Sequence, residues 1–292
     1  MQTMQTMRKG TGSMPTRHTT TQGILHPAMV GEKFRLSRRQ PSSDLRPFVE
    51  HYWIVTWDLR GQESYTQEIL PYPCAHLVFD AAYTRLYGVM TGKFARNLEG
   101  CGHVLGVKFW PAGFYPFYRR PMSLLTNRTA SFEEVFGTGG DALETAILTQ
   151  TDENAMVVLA ERFLCQRLPV SDERIAALNQ IVACIAAERE ITSVDDALAR
   201  CDVSTMSRRT LQRLFREYIG VGPKWVIRRF RLHEAAGRID AGGSVDWARL
   251  AVELGYSDQT HFIKDFKAIV GKTPAEYGRR YSLARRESVY DG

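Results

Sequence analysis

Two sets of donor side chains recur at helical spacing toward the C-terminal end of the chain. Arg209, Gln212 and Arg213 form one set; Gln259, Thr260 and Lys264 form the other. Positions three and four apart share one face of a helix, so each set would present its polar groups side by side. An Arg fork matches the two acceptors on the major-groove edge of guanine, and a Gln amide matches the paired acceptor and donor of adenine. These six are the candidate base readers; Arg216, Lys267 and Lys272 flank them as candidate phosphate clamps or solvated charge. A different chemistry is offered by Cys74 with His76 and by Cys101 with His103. Residues two apart share a strand face, and thiolate with imidazole suits zinc. His51 could join them. Single Cys-x-His pairs arise by chance, however, and Cys is often just a small buried residue. No metal, cofactor or catalytic residue is therefore assigned, and a metal- or redox-responsive regulator built on these four is kept as the alternative.

The candidate readers need elements to hold them. Trp247, Leu250, Ala251 and Leu254 recur at helical spacing. Gly255 follows, where a helix commonly ends in a left-handed residue. Ser257 or Asp258 then supplies a cap for a second helix, whose buried stripe is Phe262, Phe266 and Ile269. The pattern is duplicated. Leu211, Phe215, Gly220 and Pro223 precede Phe262, Phe266, Gly271 and Pro274 by the same 51 residues. Ser207 is the expected cap of the upstream helix. Two helices, a tight turn and a polar outer face, present twice, predict two helix-turn-helix units.

The run Gly255-Tyr256-Ser257-Asp258-Gln259-Thr260-His261-Phe262, then Phe266, then Gly271-Lys272-Thr273-Pro274-Ala275-Glu276-Tyr277, resembles the signature of the AraC/XylS family of bacterial transcription regulators. The likeness extends over about residues 172–285. It implies an all-helical domain of two helix-turn-helix units, near 193–220 and 246–271, joined by one long helix over 223–240. It also implies that each unit places one helix in successive major-groove segments of double-stranded DNA, through the same six residues. Leu211, Phe215, Phe262 and Phe266 should be core, and His261 packed. The first unit departs from the pattern: Ala199 to Leu211 spans one residue more than Ala251 to Phe262, and its turn, residues 201–205, lacks Gly.

Charge agrees with that expectation. The net charge is +6, but residues 203–286 hold 17 Lys/Arg against 8 Asp/Glu, while 171–202 hold 7 acidic against 3 basic residues. Phosphates attract such a basic surface. No apolar run reaches the length of a membrane span, and the Thr- and Gln-rich start has no apolar stretch of a secretory signal. Five scattered cysteines without a CxxC pair predict free thiols in a reducing cytoplasm.

Residues 1–30 hold nothing that can build a core, and a disordered tail is expected, with Met14 and Met29 as alternative starts. Residues 31–168 read as a β-rich domain, a small barrel or sheet. Strands are predicted at 51–57, 75–79, 85–90 and 103–109, between Pro and Gly punctuation. Trp53, Trp57, Tyr72, Tyr87, Phe109, Trp110 and Tyr115 are candidates to line a pocket. Ser131 to Glu134 has capping-box form, and helices are expected near 140–149 and 153–167. Pro169 marks the boundary, Ser171 caps the next helix, and Ser193 to Asp196 repeats the box. The runs 106–117, 71–73 and 77–79 resemble parts of an uncharacterised N-terminal domain found fused to AraC-type domains, which implies a sensor role.

The fold class expected is therefore α+β, with a β-rich N-terminal domain and an all-α C-terminal one. The partners expected are double-stranded DNA, a small-molecule effector, RNA polymerase and a second copy of the chain, docked through about 140–167. Enzymatic activity is not expected. A Cys hydrolase needs its Cys on a strand-to-helix elbow of an α/β sheet, whereas Cys74 follows Pro73 in a β-rich setting. A zinc-dependent alkyl-transfer domain would need clustered cysteines.

Overall fold

The structure is a computed structural model that describes residues 32–81, 83–170, 172–203, 205–240 and 246–279. The expected tail, the alternative starts and Ser171 lie outside the described residues. Among the described residues, eight strands form the first half: β1 (Arg35–Arg39), β2 (Val49–Asp58), β3 (Tyr65–Ile69), β4 (His76–Phe79), β5 (Arg85–Tyr87), β6 (Phe94–Leu98), β7 (Cys101–Phe109) and β8 (Thr129–Ser131). Six of them make one antiparallel sheet in the order β1-β2-β7-β4-β5-β8, and β3 pairs β6 in a separate ribbon. The sheet is open, with β1 and β8 at its edges, so the sheet alternative holds and the barrel does not close. The β1, β3, β6 and β8 strands escaped sequence reading.

Alternation along the strands decides what each face does. Tyr52, Ile54, Leu77, Phe79, Leu105, Val107 and Phe109 point to one side and are buried. That side is covered by α1 (Tyr115–Tyr118), α2 (Phe132–Phe136), α3 (Gly140–Leu148) and α4 (Glu153–Cys165). The predicted capping box is present on α2, with Ser131 and Glu134 bonded reciprocally. Helix α4 is pinned to the sheet edge by Glu153, which pairs with Arg35 at 2.6 Å and Arg39 at 2.8 Å. The opposite side of the same strands carries His51, Trp53, Val55, Trp57, His76, Val78, Val104 and Lys108, and these face a cavity roofed by the β3–β6 ribbon. Gly106 lies opposite Trp53 in the β2–β7 register. A Cβ there would sit 1.9 Å from the indole, so only glycine lets the ring lie flat across the strand.

The helical half comprises α5 (Glu173–Ala187), α6 (Val194–Arg200), α7 (Arg208–Leu214), α8 (Pro223–Asp240), α9 (Trp247–Glu253) and α10 (Gln259–Val270). Asp172, Ser193, Ser207, Asp246 and Asp258 cap their helices through side-chain oxygens. One apolar cluster joins α5–α8, another joins α8–α10. Both clusters recruit residues of the β-rich half: Phe48, Val89 and Ala112 in the first, Leu70 in the second.

One expectation is overturned. Cys184 on α5 and Cys201, the residue that ends α6, form a disulfide with their Cα atoms 5.8 Å apart. Seventeen residues separate them in the chain. The pairing arises because α6 packs back against α5, a tertiary contact that no local spacing reveals. Cys74, Cys101 and Cys165 are free.

Candidate nucleic-acid interface and adjoining cavity

In the first unit, α6 and α7 are joined by residues 201–207. The turn has no Gly, and Asp202 takes the left-handed conformation there, with φ 54°. Gly255 has φ 78° at the matching point of the second unit, and a Cβ on it would meet Thr192 at 2.4 Å. Asp tolerates positive φ better than most residues, which explains how a turn without glycine still closes. A β-branched residue has no such tolerance. Asp202→Val is therefore expected to lower stability by about 1–2 kcal/mol in urea unfolding.

Ser207 accepts a hydrogen bond from the Thr210 amide at 3.1 Å and starts α7. Leu211, Leu214 and Phe215 turn inward and are buried. Arg209, Gln212 and Arg213 are exposed on the other face. Arg213 is not free of partners: it pairs with Glu217 at 3.0 Å, one turn on. Glu217 also accepts from the Tyr115 hydroxyl at 3.2 Å, and the Tyr115 ring stacks on Tyr218 at 4.0 Å. Arg208, unremarked in the sequence, reaches back to Asp195 on α6 and locks the two helices together.

In the second unit, Asp258 accepts from the His261 amide at 2.8 Å and starts α10. Gln259 and Thr260 are the first two helical residues and are exposed, as is Lys264 one turn after Thr260. Phe262 and Phe266 are fully buried. His261 packs edge-on to Tyr256 at 5.3 Å. The candidate readers of each unit thus share an exposed face within their own helix.

Lys272 is a correction. Its ammonium pairs with Glu68 of β3 at 3.0 Å, beside Lys93 at 2.9 Å, and is half-buried. Lys272 clasps the second unit to the ribbon and does not stand free as a phosphate clamp; Arg216 and Lys267 remain exposed. Thr126 donates to the Gly220 carbonyl at 2.7 Å and holds the first unit in the same way.

Helix α8 ties the two units together. Arg228 pairs with Asp265 of α10 at 3.1 Å, Arg231 donates to the Ile185 carbonyl of α5 at 2.7 Å, and Tyr277 donates to Asp240 at 3.1 Å. Arg229 points the other way. It is buried, donates from Nε to the Pro71 carbonyl at 2.6 Å, and lies over the rings of Tyr72 and Phe230.

The cavity encloses about 250 Å³ and is bounded by the sheet, the β3–β6 ribbon and Arg229. Of the candidate aromatics, Trp53, Trp57, Tyr72 and Tyr87 line it. Phe109, Trp110 and Tyr115 do not. Phe109 is core, Trp110 donates to the Arg46 carbonyl, and Tyr115 serves the first unit. Several of its polar groups are held by ion pairs or hydrogen bonds. Lys108 pairs with Glu50 at 2.9 Å. Burial alone would raise the Glu50 carboxyl, but the hydrogen bond to His51 and the Lys108 ammonium outweigh it and hold the group at about 2. Burial lowers His76 to about 3, and its Nδ1 accepts from Trp53 Nε1 at 3.3 Å.

The alternative built on Cys74, His76, Cys101 and His103 fails geometrically. His76 is paired in register with Lys108, near the end of β7, whereas Cys101 and His103 lie at its beginning. Five residues of extended strand separate His103 from Lys108, roughly 17 Å. Among the described residues no group of three or more His, Cys, Asp and Glu side chains could hold a metal ion. Cys74 lies 3.3 Å from His76, yet burial pushes its thiol up to about 12, so it is not a thiolate nucleophile. Among the described residues no helix is long and apolar enough to cross a membrane.

Residues 201–280 match a family described as a helix-turn-helix domain, and residues 37–131 match a domain of unknown function (DUF6597). An uncharacterized HTH-type transcriptional regulator of Haemophilus influenzae is 33% identical over 82 residues, covering 28% of this chain and 27% of its own. The chain thus spans about a quarter of the length of the curated relative it matches. Crystal structures of ToxT from Vibrio cholerae align over most of both chains at low similarity. ToxT of strain O395 is 15% identical, with 85% of this chain and 97% of that one covered and a TM-score of 0.34. Unsaturated fatty acid-bound ToxT is 13% identical, with 84% and 91% covered and a TM-score of 0.32.

Proposed function

We propose that this chain is a transcription regulator of the AraC type that binds double-stranded DNA in a sequence-dependent way, a reading supported by the helix-turn-helix domain matched over residues 201–280. The observation that carries this reading is the duplicated unit. Helices α7 and α10 each follow a tight turn, each bury one apolar face, and each expose a polar one. Helix α8 between them has 18 residues, about 27 Å at 1.5 Å per residue. Two successive major-groove segments on one side of a duplex lie a helical turn, about 34 Å, apart, and a spacer of this order suits two units that read them.

Arg209, Gln212 and Arg213 then read bases from α7, and Gln259, Thr260 and Lys264 from α10. Arg216 and Lys267 contact phosphates. In this reading residues 31–168 form the regulatory domain and 172–285 the DNA-binding domain, acting in the cytoplasm. The cavity beneath the ribbon receives the effector. It suits that role because it touches α8, and α8 sets the relation of the two units. A second copy docks through α3 and α4, where Val158 is an exposed apolar residue, and RNA polymerase is the downstream partner.

The residue-level test is Gln259→Ala. A base reader lost from α10 should cost about 1–3 kcal/mol at one base position and leave the folded state intact. Binding is measured against a panel of single-base variants of the preferred site. Equal weakening on every member of the panel would remove Gln259 from the readers.

A further inference from the structure

We propose that the cavity between the sheet and α8 binds a small, mostly apolar organic anion whose charged group seats on Arg229. The inference rests on the regulatory reading of the β-rich half and names the chemistry of its effector.

The argument starts from an imbalance. Arg229 is 3% exposed and lines the cavity. Its Nε is satisfied by the Pro71 carbonyl, and two rings lie against the guanidinium. Among the described residues, no carboxylate pairs with it. The other cations of the lining each have a carboxylate nearby: Lys108 and Arg38 have Glu50, and Arg96 has Asp80. Burial lowers Arg229 only to about 10, so it stays charged at neutral pH. A charge taken out of water without a counter-ion is costly, and chains rarely keep one unless something pairs with it. The guanidinium fork is the side chain best shaped to receive a carboxylate through two parallel hydrogen bonds.

The rest of the lining says what else the ligand must be. Phe34, Leu36, Val55, Trp57 and Leu98 line the cavity and belong to one apolar cluster. Tyr72 and Cys74 lie beside Arg229 instead, and Lys108 sits over the Tyr72 ring. The cavity is thus charged at one region and oily at another, the shape of an amphipathic guest. Its volume, about 250 Å³, holds roughly a dozen non-hydrogen atoms, just below the usual size of ligand sites, so the guest is small. His51 and His76 are both held toward the neutral form by burial and add no charge of their own. Because Arg229 belongs to α8, an anion on it would stabilise one placement of α8 against the sheet, and with it one relation of the two units.

The test uses the full chain without DNA. Tryptophan fluorescence reports on the site because Trp53 and Trp57 line it. The chain is titrated with phenylbutanoate, phenylbutanol and phenylbutylamine, which share a body and differ in charge. Phenylbutanoate should bind on the order of ten-fold or more tightly than the alcohol, and the amine should not bind. Arg229→Met should bring the carboxylate down to the affinity of the alcohol, while Arg229→Lys keeps part of the preference. If the Met variant does not fold, the three probes on the native chain and on the Lys variant decide. Equal affinity for all three probes, a carboxylate preference that survives Arg229→Met, or no carboxylate binding at millimolar concentration would overturn the proposal. DNA binding is scored separately by target selection, so loss of the effector chemistry and loss of the DNA-binding reading give different results.

Discussion

Phe266→Ala should remove about 4 kcal/mol of stability and abolish DNA binding for every sequence alike. The ring is fully buried on the inner face of α10, 5.8 Å from the rings of both Phe262 and Tyr277. Tyr277 in turn bonds Asp240 at the end of α8, so the ring links the second unit to the long helix. Truncation leaves a cavity between two packed rings that they cannot fill, which places the cost at the upper end for large-to-small changes. The loss is of fold, so thermal unfolding and binding fall together. Gln259→Ala makes the contrasting case, with unchanged stability and an altered preference at one base. A Phe266→Ala chain that kept its melting temperature and lost only one base preference would mean that α10 is not held by this face.

Reduction of the Cys184–Cys201 bond should cost about 3 kcal/mol, the loop-closure value for a cross-link across a loop of this length. The bond joins α5 to the end of α6, immediately before the turn that delivers α7. Stabilisation of this size corresponds to roughly 4–8 °C of melting temperature per kcal/mol in a domain of about 100 residues. Melting with and without a phosphine reductant measures it. The double variant Cys184→Ala, Cys201→Ala should melt low in both conditions, while Cys74→Ala should leave the reductant effect intact. A native chain that melts at the same temperature either way would show that the two sulfurs do not brace the first unit. In a reducing cytoplasm the dithiol form would be the working one, and binding by the first unit should then be compared in both redox states.

The helical half was legible because its information is local. Caps at Ser193 and Ser207, the Asp258 cap and the positive φ of Gly255 all lie within a few residues of what they organise. The 51-residue repeat adds a second reading of each. Strands β2, β4 and β7 were legible for the same reason, being rich in β-branched and aromatic residues. The ribbon was not. β3 and β6 carry Thr66, Gln67, Glu68, Arg96 and Asn97, and such polar strands become strands only by pairing with each other over the cavity. Three distant pairings were also illegible in the sequence. Lys272 looked like a free phosphate contact and is held by Glu68. Cys184 and Cys201 looked like separate thiols. Arg229 falls within the basic stretch 203–286 and is buried against Pro71. Nothing within a short window distinguishes these cases, because the partner in each lies 17 or more residues away.

The most direct test of two reading heads on one duplex is selection of bound sites by the purified full-length chain from a random double-stranded pool, followed by sequencing. The expected result is two enriched elements about 10–10.5 base pairs apart, one answering to α7 and one to α10. Gln259→Ala should blur only the second. Recovery of a pool with no enriched element, or of a single element unaffected by substitutions in both α7 and α10, would contradict the account.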